Sequence, residues 1–186
     1  SPNTPTTTIP VAHELGICGV TLFESSQRPT LRPIVIPEDD PLYGVGFHYC
    51  MKVFGASMWA VEKFSEPLLR HVASIAAEYL DNNEDGIVDD PAVNAALVAN
   101  KAAMYLLDEF DKQSKFDMSD SSAIHRMKDT VAQHSGETHP QALLTGDVTL
   151  EEVLHLIQAA GYGVAYPDLR SPTADGSLPN NLLTDA

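Results

Sequence analysis

The sequence predicts an α+β fold, mainly helical, with a small N-terminal antiparallel sheet and one helix–loop–helix in its middle. Three observations predict it. Residues 15–62 carry β-branched and aromatic residues between Gly and Pro breakers, the pattern of short strands. From Ser65 onward apolar residues recur at helical spacing, which marks amphipathic helices. Between two such helices stands an acidic stretch, Asp81 to Asp90 (DNNEDGIVDD).

The elements follow in order. Residues 1–14 (SPNTPTTTIPVAHE) are Pro/Thr-rich, with no charged start and no apolar run, and are expected to form an extension that is ordered only where it docks. Residues 15–36 and 45–62 are expected to be strands, with Gly55 at a bend or bulge. Pro29, Pro33, Pro37 and Pro41 confine those segments to edges or loops. Ser65-Glu66-Pro67 reads as a helix start, with a hydroxyl cap, an acid in the first turn and proline where no N–H is needed. Leu68, Leu69, Val72, Ile75, Ala76, Tyr79 and Leu80 then recur at helical spacing, so a helix is expected over 66–80.

Asp90-Pro91 opens a second helix by the same logic, expected to carry Val93, Ala96, Leu97, Met104 and Leu107 toward a core. Residues 111–122 are polar and turn-rich, a short helix is expected over 123–131, and 133–147 reads as a loop. Thr149-Leu150-Glu151-Glu152 has the form of a capping box, opening a helix expected to end at Gly161. Residues 15–168 are therefore read as one globular domain, and 169–186 as an irregular Pro/Asn/Ser-rich tail. A chain of 186 residues is long enough for one sizeable core and needs no second.

Charge narrows the function classes. Twenty-six acidic residues against 11 basic ones leave a formal net charge of −15, which repels phosphate backbones and anionic membrane surfaces and attracts divalent cations. Nucleic-acid binding is excluded on this reading. So is membrane insertion, because no run approaches the roughly 18 apolar residues of a span. Cys18 and Cys50 are the two cysteines, and an even, low count suits one disulfide in an oxidising compartment. The plainer account is a pair of buried free thiols.

The acidic stretch has the pattern D-x-N-x-D-G of an EF-hand-like loop. A hard cation needs six to eight oxygens, so a loop must deliver carboxylates at alternate positions and turn sharply between them. Asp81, Asn83 and Asp85 supply side-chain oxygens at positions one, three and five, Gly86 stands at the turn, and the carbonyl of Ile87 falls at position seven. Val88 is the apolar residue that tucks beneath, and Asp89 falls at position nine. Position twelve, which an EF-hand closes with a bidentate Glu, is Ala92. Asp89 and Asp90 must then complete the shell, and the expected calcium affinity sits at the weak, extracellular end, roughly 10⁻⁴ to 10⁻³ M. Against this stands a plain acidic turn that caps two helices.

A second set of residues could hold zinc or another transition metal. Glu151, Glu152 and His155 share the helix after Thr149, with the Glu-x-x-His spacing of helical metal sites. His71 and His139 are the other candidate ligands, and Glu152 the candidate general base. Only one Glu-x-x-His is present, Glu152 doubles as the capping-box acid, and neither a His-Glu-x-x-His motif nor a Gly-x-Ser-x-Gly motif occurs.

Taken together, Phe54-Gly55, Ser65 to His71, Leu80 to Gly86 with Pro91, Glu151 to Ile157, Gly161-Tyr162 and Ala165-Tyr166-Pro167 resemble a group of secreted EF-hand-like proteins. These carry a His-bearing helix, an LDNDEDG-type calcium loop and a later EExLHxI helix. The similarity spans about residues 45–168. The resemblance implies extracellular placement and calcium, gives no settled reaction, and implies chains that continue past this C-terminus.

Two functional readings follow. The first is a secreted calcium-binding structural or interaction module, whose ion fixes the helix–loop–helix and whose partners are calcium and either another protein or a C-terminal partner segment. The second is a metal-dependent hydrolase, with His71, His139 and His155 on a metal and Glu152 activating its water.

Overall fold

The computed structural model describes residues 16–108, 130–138, 140 and 147–167. The N-terminal extension, the tail from 169, the polar stretch 111–122 and residues 123–129 lie outside the described residues, as does His139.

The fold is α+β, but its sheet is neither confined to the N-terminal third nor purely antiparallel. Five strands lie in the order β1-β2-β3-β4-β5: β1 Ile34–Val35, β2 Phe47–Val53, β3 Ala56–Val61, β4 Ala103–Leu107 and β5 Thr130–His134. The first three pair antiparallel, with Cys50 opposite both Ile34 and Trp59. β3-β4 and β4-β5 run parallel, with Met104 between Met58 and Val131. All six residues of β3 are buried, as expected of a strand covered on both faces.

Helix α3 (Glu66–Leu80) leaves the end of β3, and α4 (Pro91–Ala99) returns the chain to β4. The helix expected to reach Met104 and Leu107 thus stops at Ala99, and both residues are strand. A short continuous apolar run such as Ala103–Leu107 satisfies a helical and a buried-strand pattern alike. What ends α4 is backbone geometry without a glycine: Lys101 takes φ +50°, and its N–H and that of Ala102 bond back to Val98 and Leu97. Val131, expected in a short helix, lies in β5.

Before the sheet, Gly16–Cys18 forms a 3₁₀ turn and Leu22–Ser25 a single-turn helix, α1, where strands were expected. The capping box that the sequence promised at Thr149 is realised here instead. Thr21 Oγ1 accepts from Glu24 N, and Glu24 Oε2 accepts from Thr21 N at 3.0 Å. Burial pushes the Glu24 carboxyl up, but Lys52 Nζ at 2.8 Å and the Thr21 donors together hold it below its ordinary value. A second short helix, α2 (Pro41–Val45), is capped by Asp40 Oδ1 and closed by Gly46 at φ +108°.

Helix α5 (Thr149–Leu156) starts where expected, but Val148 is its N-cap and makes no side-chain cap bond. The chain does not stop at Gly161. A π-helical turn (Ile157–Tyr162) and a last helical turn, α6 (Gly163–Ala165), carry it on. Gly161 is there for contact: a Cβ would meet Val93 Cγ1 at 2.8 Å and Leu97 at 3.3 Å.

The core runs along the strands. Phe47, Trp59 and Tyr105 form an aromatic cluster with ring centroids 5.2–5.8 Å apart, and all three are sealed from solvent. The buried indole N–H has its partner in Ser57 Oγ at 2.8 Å, as a buried Trp requires. Cys18 and Cys50 are bonded, with Cα atoms 6.0 Å apart and neither side chain exposed. This bridge pins the segment before α1 to β2.

Candidate functional site

The acidic stretch forms a tight turn between α3 and α4. Asp81 is the last residue held by α3, its N–H bonding to Ala77 O. Asp81 is 7% exposed as a residue, and its carboxylate accepts from Asp85 N at 3.1 Å and Gly86 N at 2.8 Å. Asn83 Oδ1 also accepts from Asp85 N, and Asp85 Oδ1 from Ile87 N. Asp89 closes the loop twice, its N–H to Leu80 O and its Oδ2 accepting from Asn82 N, both at 2.9 Å. Such short side-chain-to-backbone bonds are what Asp and Asn offer at turns.

Two residues take left-handed conformations, Glu84 at φ +59° and Gly86 at φ +88°. At Gly86 there is a second requirement, because a Cβ would lie 2.8 Å from Arg28 Nε. Arg28 itself donates from Nη2 to Glu84 O at 2.7 Å, so the segment before β1 straps the loop. Val88 is turned inward, and Ile87 exposes its side chain.

Asp90 stands apart from the other acids. Its Oδ1 caps α4, accepting from Ala92 N at 2.9 Å and Val93 N at 3.1 Å, and its Oδ2 accepts from the Tyr166 hydroxyl at 2.8 Å. Burial pushes this carboxyl up, but the Val93 N–H, the Tyr166 hydroxyl and the Ala92 N–H outweigh it and hold it low. The same bond to Asp90, with burial second, raises the Tyr166 phenol.

As donors for a cation, Asp81, Asn83, Asp85, Asp89 and the Ile87 carbonyl are all hard oxygens within one tight turn, the chemistry calcium takes. Their side chains are turned onto the loop's own N–H groups. Among the described residues no three His, Cys, Asp or Glu side chains are grouped to hold a metal.

The histidines part company. His71 Nε2 donates to Asp147 Oδ2 at 2.6 Å, joining α3 to the residues that open α5. Asp147 Oδ1 accepts from Thr149 N and from its hydroxyl, and Gln133 Nε2 donates to Thr149 Oγ1 and Thr138 Oγ1, both at 2.7 Å. This network runs through the buried Gln133 and Thr149. His155 is half exposed, with Glu152 at 3.6 Å and Glu151 at 3.9 Å. Glu152 therefore neighbours His155 on one surface.

Sequence reasoning missed Asp147, Gln133, Tyr166 and Arg28. Asp147-Val148-Thr149 could have been read as an Asx start to α5. The partners of Gln133, Arg28 and Tyr166 lie up to 76 positions away, beyond any local pattern. A further ionic group sits at the carboxyl ends of the parallel strands, where Asp108, after β4, meets Lys63 at 3.3 Å and Ser135 at 3.4 Å.

Comparison with known proteins gives no family to this chain: no family model, no curated protein and no solved structure matches it.

Proposed function

We propose that the chain is an extracellular module whose α3–loop–α4 unit is braced by a calcium ion. Asp81, Asn83, Asp85, Asp89 and the Ile87 carbonyl hold it. Asp90, which caps α4 and accepts from the Tyr166 hydroxyl, stands outside this set.

The single observation that supports this reading is the buried Asp81 at the head of a turn closed by Gly86 and Asp89. Three more acids, Glu84, Asp85 and Asp89, follow it within eight positions, with Arg28 the basic residue bonded to the loop backbone. Such a concentration of negative charge draws a divalent cation. The disulfide between Cys18 and Cys50 supports an oxidising compartment, where calcium is abundant enough for a weak site.

The ion's role on this reading is structural. It joins the helix that leaves β3 to the one that returns to β4, and so fixes the crossover between two parallel strands. Calorimetric titration with calcium tests the reading. One site of roughly 10⁻⁴ to 10⁻³ M is expected, and it is lost in Asp85→Ala. No heat of binding at any calcium concentration up to about 10 mM overturns it.

A further inference from the structure

In the pair His71–Asp147 one ring nitrogen is held and the other is open. An ionised carboxylate has no proton to give, so His71 Nε2 carries the hydrogen of their 2.6 Å bond, and Nδ1 keeps its lone pair. Among the described residues nothing bonds to Nδ1, and it is not sealed from solvent.

Behind the ring the acceptor is fixed in depth. Asp147 Oδ1 accepts from Thr149 N at 3.1 Å and from the Thr149 hydroxyl. That hydroxyl has given its one proton, so it meets Gln133 Nε2 with a lone pair. Gln133 and Thr149 are fully buried, and among the described residues Gln133 Oε1 has no partner there. A network that served packing alone would not strand a buried acceptor, which is a cost to stability. Gln133 is also the penultimate residue of β5, and Asp108 and Ser135 follow β4 and β5. The pair is thus tied to the carboxyl ends of parallel strands, the end at which such sheets carry their chemistry.

We propose that His71 Nδ1 is a general base, oriented by Asp147, for the attack of water on an uncharged acyl ester. Nδ1 takes a proton from water as the water oxygen bonds to the acyl carbon and the carbonyl electron pair moves onto oxygen. Return of that pair breaks the ester bond, and the imidazolium gives its proton to the departing oxygen. One water is thereby added across the bond. Asp147 is the positioning residue: it keeps the hydrogen on Nε2 and faces the positive charge that the ring acquires. The substrate is uncharged because a net charge of −15 repels anions.

Hydrolysis of p-nitrophenyl acetate by the intact, oxidised chain tests this. The rate should exceed that of an equal concentration of free imidazole by about tenfold or more, the gain of a held and oriented base. His71→Gln should abolish the excess. Asp147→Asn still accepts from Thr149 but turns an N–H toward Nε2, which moves the ring hydrogen to Nδ1. It should lower kcat by about tenfold or more with KM little changed and the near-UV circular dichroism preserved. A purely structural role would not produce that split. Should His71→Gln fail to fold, Asp147→Asn and the imidazole comparison decide. A rate no greater than that of free imidazole overturns the proposal. So does an excess that survives His71→Gln, or one untouched in folded Asp147→Asn.

Discussion

His71 Nε2 lies 2.6 Å from Asp147 Oδ2, tying the second turn of α3 to the start of α5 across 76 positions of sequence. Both side chains are mostly buried, at 22% and 12% exposure, so the contact is poorly screened by solvent. It also holds one end of the network that passes through Thr149 to Gln133.

Removing the imidazole should therefore cost more than a surface change. His71→Ala is expected to lower stability by about 1.5–3 kcal/mol, the range for a hydrogen bond to a charged group that leaves its partner stranded. Urea denaturation measures it. A loss below about 0.5 kcal/mol, typical of surface positions, contradicts the structural role given to this pair.

The glycines make a paired prediction of opposite sign. Gly161→Ala gains helix propensity worth about 1 kcal/mol, yet its methyl meets Val93 Cγ1 at 2.8 Å. Overpacking of this kind costs about 1–3 kcal/mol, and a net loss of stability is expected. Gly44→Ala, inside α2 with no atom within 4 Å of the added carbon, should be neutral or stabilising by up to about 1 kcal/mol. Thermal melts of the two variants side by side check the pair, and a stabilised Gly161→Ala refutes the close approach of α4 to the π-helical turn.

The Cys18–Cys50 bridge closes a loop spanning 32 positions. Constraining a loop of that size in the unfolded chain is worth about 3–4 kcal/mol. Denaturant midpoints of the oxidised and reduced protein should differ accordingly. Coincident curves would show that burial in the core alone holds the segment before α1 in place.

The parts of this fold legible in the sequence are those decided within a few residues. Ser65 to Leu80 carries a helix in its own spacing, Asp90-Pro91 announces α4, and D-x-N-x-D-G announces the turn that Asp81, Asn83 and Asp85 make. What misled was ambiguity of period and competition between caps. Ala103–Leu107 is apolar throughout and reads as well for helix as for strand, and only its place between β3 and β5 decides. At α5, Thr149 had two partners available. Asp147 and Gln133 took its hydroxyl, so the expected capping box with Glu152 never formed. Asp90 was legible as a cap and as an acid, but its bond to Tyr166 was invisible until the chain had folded.

The central claim is that calcium braces the loop from Asp81 to Asp89, and a thermal melt tests it most directly. After EDTA treatment, about 10 mM calcium over a site of 10⁻⁴ to 10⁻³ M should add about 1.4–2.7 kcal/mol. For a chain of this size that raises the Tm by about 3–10 °C, and the rise should vanish in Asp85→Ala. A melting temperature that is the same in EDTA and in calcium would contradict the account.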